Sequence, residues 1–280
     1  MKNRPGLFAI AGACLVVAAA LPAREEEEEE TAVHSKVFND YARTPSVLGG
    51  YQPETFAFAN GGALLGHLRD RSVDDATFDQ VIRLVSPALT RQNYIAATDP
   101  EDTDLLIFIT WGATGGYDSM GLSTSGDLLQ TADLGAAWYG DSSRMDEASR
   151  RRDRANASNA ALLGYREAMR THRDMRAYGV QGTIHQDLVA DVEEPRYFVI
   201  LVAFDFRTAW KEKKLIPLWS TRYNIPTRGN HFTAALPSMS QFASRYFGRD
   251  SGGLIRRLNP TGKVEMEDVK ILGAVGTPAE

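Results

Sequence analysis

Nine arginines and no lysine fall between Arg144 and Arg176, against five acids, in a chain whose formal charge is −5. A guanidinium fork holds a phosphate or carboxylate through two parallel hydrogen bonds, so this density points to anion binding. Its densest point is Arg150, Arg151, Arg152 and Arg154, which are the candidate anion- or partner-contacting residues. The plainer alternative is a solvated helix face laced with local ion pairs. A second candidate surface is Trp111-Gly112-Ala113-Thr114-Gly115-Gly116-Tyr117, where Trp111 and Tyr117 are expected as exposed loop aromatics that meet a partner. Glycines after a strand can cradle a phosphate, but a phosphate loop needs a Lys and an immediate helix, and neither follows. No nucleotide is expected.

The other reactive residue types are spaced wrongly for chemistry. Gly121-Leu122-Ser123-Thr124-Ser125-Gly126 places its second glycine one position late for a nucleophile elbow. His34, His67, His172, His185 and His231 show no paired-ligand spacing. His172 falls on the apolar stripe of a helix and reads as a core or boundary residue, whereas His185 near Asp187 and Asp191 is only a formal acid/base pair. Asp99, Glu101, Asp102 and Asp104 crowd one loop, without the turning Gly and distal bidentate Glu of a calcium site. The chain is therefore expected to have no catalytic residues, no cofactor and no metal, and to act as a non-enzymatic binding or structural module. The alternative is a hydrolase acting on envelope material.

The elements that must carry these residues follow from periodicity. Strands are expected at Thr55–Ala59, at Tyr94–Ala96 and over the near-continuous apolar run Asp104–Trp111. Phe78, Val81, Ile82, Val85 and Leu89 recur at helical spacing behind Asp74 and Asp75, with Pro87 expected to kink or break the helix. Gly112–Gly135 reads as loop. A helical stretch then carries Leu162, Tyr165, Met169, His172 and Met175 and stops at Gly179. Arg196–Phe206 and Leu215–Ile225 form the strongest β signal, a hairpin joined by Lys211-Glu212-Lys213-Lys214. A last helix buries Met239, Phe242, Ala243, Tyr246 and Phe247, capped by Gly248. The expected class is α+β, a mostly antiparallel sheet with helices packed on one face, plus a helical insertion at about 141–179.

This order resembles a group of uncharacterised bacterial envelope proteins, often lipoproteins, with a strand-helix-strand-strand-strand-helix domain of unknown function. The resemblance rests on Thr55-Phe56-Ala57-Phe58, the helix after it, Asn93-Tyr94, Thr103-Asp104-Leu105-Leu106 and the hairpin strand ending near Leu218-Trp219. It covers 53–110 and 196–248 and implies an envelope location, without implying any catalytic residue.

The chain's start reads the same way. Lys2 and Arg4 precede the apolar run Leu7–Ala20, which ends in small residues at Ala18 and Ala20 with Ala23 just beyond, the layout of a secretory signal peptide cleaved between Ala20 and Ala23. The run is shorter than the roughly 18–20 residues of a spanning helix, and Pro22 ends it. Cys14, the only cysteine, is followed by apolar residues, unlike a lipid-attachment site. Cleavage would leave a body without thiols, and so without disulfides or cysteine chemistry. The expected layout is a signal peptide at 1–23, a disordered acidic lead-in at 24–50 around the Glu25–Glu30 run, one α+β domain at 51–252 and a tail at 253–280. The expected location is periplasmic or extracellular, in contact with the envelope surface or another envelope protein. An acidic chain has no general pull on nucleic acid, so none is expected as a partner; the sequence leaves the oligomeric state open.

Overall fold

Seven strands form one mixed sheet in the order β3-β2-β4-β5-β6-β1-β7. They are β1 (Glu29–Val37), β2 (Glu54–Leu64), β3 (Tyr94–Ala96), β4 (Leu105–Ala113), β5 (Arg196–Asp205), β6 (Pro217–Pro226) and β7 (Leu254–Asn259). The structure is a computed structural model and describes residues 29–47, 49–64, 70–115, 143–176 and 182–259. The expected signal peptide and the glutamates before Glu29 lie outside the described residues, as does the Ser-rich motif at 121–126.

The α+β class holds, while the antiparallel expectation holds only for part of the sheet. From β4 through β5, β6 and β1 to β7 every pairing is antiparallel, whereas β2 runs parallel to both β3 and β4. The parallel pairs follow from the connection. After β2 the chain passes through α1 (Arg71–Asp74) and α2 (Phe78–Thr90) before returning as β3, and a helical crossover of that kind brings a strand back in the same direction. Thr77 and Gln80 form a reciprocal capping box at the start of α2. The helix runs through Pro87 to Thr90 instead of breaking there, and only the backbone bond that the Pro87 nitrogen would have donated is lost.

The expectation that helices cover one face is overturned. Along β5, Tyr197, Val199, Leu201 and Ala203 join one apolar cluster, while Phe198 and Ile200 join another. Successive strand residues face opposite sides, so these clusters are two layers flanking the sheet. The first layer is built by α1, α2 and α7 (Phe232–Ala243), with Val85, Leu89, Leu236 and Met239 fully buried. The second is built by α3 (Ser143–Leu163), α4 (Arg166–Arg176) and α5 (Gly182–Glu193), which insert between β4 and β5. The insertion thus reaches past its expected end at 179. The unbroken apolar run in β5 is itself the mark of a strand covered on both faces.

Two further boundaries differ from expectation. Glu29–Val37 is not a disordered lead-in but an inner strand of the sheet, and Leu254–Asn259 is its edge neighbour rather than tail. Polar residues of β1 find partners on the sheet: Ser35 Oγ lies 2.7 Å from Thr221 Oγ1 and donates to the Tyr246 carbonyl at 2.8 Å. The β5–β6 hairpin forms as expected, with a short helix α6 (Phe206–Glu212) inside its link.

Candidate functional site

The insertion is fastened to the sheet at a glycine. Helix α3 ends at Leu163, Gly164 turns with φ +87°, and α4 begins at Arg166. A Cβ on Gly164 would lie 2.6 Å from the Cβ of His34, so the absence of a side chain lets this turn rest on β1. Buried polar groups pin the seat. Asn159 Nδ2 donates to the carbonyls of Gly115 (3.1 Å) and Val192 (3.0 Å), and Asn224 Nδ2 donates to the Leu163 carbonyl at 3.0 Å. Arg196, 1% exposed, donates from Nε to Asn224 Oδ1 at 2.6 Å and from Nη2 to the Glu30 carbonyl at 3.2 Å. Arg256 closes the outer edge on Asp191 at 2.8 Å.

On this base the three helices enclose a groove of about 870 Å³, lined among others by Arg152 of α3, by Arg166, Arg170 and Arg173 of α4, and by His185 and Glu193 of α5. Arg152 grips the Glu193 carboxylate with both Nε and Nη2 (2.7 Å for the latter), and Asn156 Nδ2 adds a third bond at 2.6 Å. Burial opposes the charge on Glu193, but Arg152 and Asn156 outweigh it and hold the carboxyl below its usual pKa. Arg166 and Arg170 make no ion pair with any described residue, and both are exposed. The groove therefore presents guanidinium groups with unused hydrogen-bond capacity, which is what a phosphate or carboxylate needs.

The sequence candidates distribute unevenly over this site. Of the dense arginines only Arg152 lines the groove, because residues 149, 152, 153 and 156 share one helical face and 150, 151 and 154 do not. Arg151 pairs with Glu147 one turn back, and Arg154 Nε donates to the Arg150 carbonyl at 3.2 Å, as expected of a solvated face. Trp111 is corrected outright. It is 3% exposed inside β4 and packs in the larger core, since the strand continues to Ala113. Tyr117 lies outside the described residues. His185 lines the groove, while His172 is half-buried on α4. The acidic loop spends its carboxylates locally: Asp99 caps the Glu101 amide at 2.8 Å, and Asp104 accepts from the Thr55 amide at 3.0 Å. Arg166, Arg170 and Arg173 lie outside the densest arginine run, although their i, i+4, i+7 spacing marks one face of a helix.

A titratable group sits under the Gly164 turn. His34 faces Arg222 in strand register, and its Nε2 is 3.8 Å from Glu167 of α4. Burial first, then the Arg222 charge, lowers its pKa below the ordinary 6.5, and the pull of Glu167 and Asp250 does not compensate. The folded protein thus holds His34 neutral at pH values where the unfolded chain already takes up a proton. Stability is full above about pH 6.5 and falls as the pH drops through and below that value. Urea midpoints at about pH 7.5 and about pH 5.5 should differ less in His34→Gln than in the wild type; an equal difference would remove His34 as the cause.

Among the described residues, no helix is long and apolar enough to cross a membrane. No protein-family model matches the chain. No curated protein is similar to it in sequence. Among solved structures, it is similar to a PDZ domain protein from Parabacteroides distasonis at 10% identity and a TM-score of 0.37. The match covers 82% of this chain and 39% of that one, so this chain spans about two-fifths of the other's length. A likeness that distant says nothing about what this chain binds.

Proposed function

We propose that the chain is an exported envelope protein working as a non-enzymatic binding module, whose helical insertion captures anionic groups of the envelope in the arginine groove. The observation that carries this reading is that Arg166 and Arg170, exposed on one face of α4, line the groove and make no ion pair with any described residue. The signal-peptide layout at Lys2–Ala23 supports export, and the resemblance to envelope proteins supports the location.

The test is salt-sensitive sedimentation with phosphatidylglycerol vesicles. Each guanidinium–phosphate contact contributes about 1.5–3 kcal/mol. The double variant Arg166→Gln with Arg170→Gln should therefore weaken binding by at least tenfold at about 50 mM salt. Wild-type binding should itself decline toward about 500 mM salt, where screening shortens to a few ångströms. Replacing Arg150, Arg151 and Arg154 by Gln should cost far less, because those side chains point away from the groove. Undiminished binding by the Arg166/Arg170 variant would end the proposal.

A further inference from the structure

The groove's lining is not uniformly cationic. Apolar side chains enter it from all three helices: Ala157 and Ala160 of α3, Met169 of α4, and Val189 and Ala190 of α5. Ala160 is buried, and Met169 and Val189 are half-buried. Met169 lies one turn on from Arg166 and lines the same groove as Arg166 and Arg170, so a ligand reaching those arginines also meets the thioether. Met169 packs at the margin of the second apolar cluster, and Ala160 belongs to it. The apolar strip is therefore continuous with the core layer under the insertion.

We infer that the groove takes a single anionic amphiphile, its phosphate or carboxylate head on Arg166 and Arg170 and its apolar stem along Ala160, Met169 and Val189. This rests on the anion-binding reading above and names the ligand class within it. A bare oxyanion would satisfy the arginines and leave Met169 and Val189 in water. A neutral hydrocarbon would cover those two and leave the guanidinium groups unmet. Only a molecule with both parts matches the lining. The volume of about 870 Å³ is within the ordinary range for pockets that bury a small organic ligand. Methionine's flexible, polarisable side chain adapts to stems of varied shape, and arginine stems add apolar contact below their charged ends. Charge complementarity fixes the sign of the head: four arginines line the groove against two acids, Asp153 and Glu193, and Glu193 is already held by Arg152.

The experiment measures binding of inorganic phosphate, butyl, octyl and dodecyl phosphate and neutral dodecanol to the full chain, all below micelle-forming concentrations. Burial of a methylene tightens binding about fourfold at most and about twofold on a half-open surface, so affinity should rise by that factor for each added carbon. Arg166→Gln with Arg170→Gln should weaken the whole alkyl phosphate series by a common factor. Met169→Gln and, separately, Val189→Gln should flatten the dependence on chain length while leaving weak phosphate binding in place. Equal affinity for phosphate and dodecyl phosphate, with vesicle binding still lost in the arginine variant, would overturn the amphiphile and leave the anion site standing. Dodecanol binding as tightly as dodecyl phosphate would also overturn it. If the arginine variant changed neither vesicle nor alkyl phosphate binding, both readings would fall together.

Discussion

Arg196→Ala should destabilise the protein by about 3–5 kcal/mol, the cost typical of breaking a buried charged network by removing one partner. Arg196 is 1% exposed and reaches three elements: Asn224 of β6, the Glu30 carbonyl of β1 and, at 3.5 Å, Glu194 at the end of the insertion. Asn224 in turn holds the Leu163 carbonyl. Truncation would leave the Asn224 and Glu30 oxygens short of a donor away from water, and each such group costs about 1–3 kcal/mol. Arg196→Lys should recover little, because an ammonium is a compact charge and cannot span the positions a planar fork reaches. Urea unfolding followed by tryptophan fluorescence and by far-ultraviolet dichroism measures the loss. A loss under about 1 kcal/mol would show the network to be replaceable by water.

Gly164→Val should cost about 3 kcal/mol or more, and its effect should concentrate in the insertion. Two penalties add at this position. A side chain at φ +87° is strained by roughly 1–2 kcal/mol. The new Cβ would also collide with the Cβ of His34 at 2.6 Å and crowd its Cγ at 3.3 Å, and overpacking typically costs about 1–3 kcal/mol. The turn can relieve the collision only by lifting α3 and α4 off β1. Limited proteolysis should then cut within 143–176 well before the sheet is attacked. Anion affinity should fall as well, because the arginines of α4 would no longer face Arg152 and His185 across a fixed gap. A wild-type unfolding midpoint together with wild-type protease resistance would contradict the proposed seat.

Periodicity made some of this architecture readable and left other parts hidden. Strands β3, β4, β5 and β6 and helix α2 carry enough β-branched, aromatic or helically spaced residues to declare themselves, and each forms where expected. Strand β1 does not. Its segment Thr31-Ala32-Val33-His34-Ser35 mixes polar and small residues behind a run of glutamates. What makes it a strand is partners roughly 180 to 230 residues away on β6 and β7, and no local window contains them. The burial of Trp111 is hidden for a related reason. Gly112 looks like the start of a loop, but it lies in β4, where a Cβ would sit 2.1 Å from the Leu64 carbonyl oxygen. It marks a close approach of neighbouring backbones. The groove was half legible. The arginine excess pointed to the right segment, but density along the chain favoured 150–154, whereas facing direction selected Arg152 with Arg166, Arg170 and Arg173.

The place of β1 between β6 and β7 has a consequence for the order of events in the cell. A ribosome delivers this segment before every other strand of the sheet and both its neighbours after all the rest. Until Leu254–Asn259 has emerged, the early strand has one flank without a mate, and before β6 emerges it has none. The early chain therefore cannot lock its tertiary structure ahead of the late chain, and it stays pliable for nearly the whole of its passage. Stopping synthesis anywhere before β6 should yield a product without a closed sheet, however many of its helices have already formed.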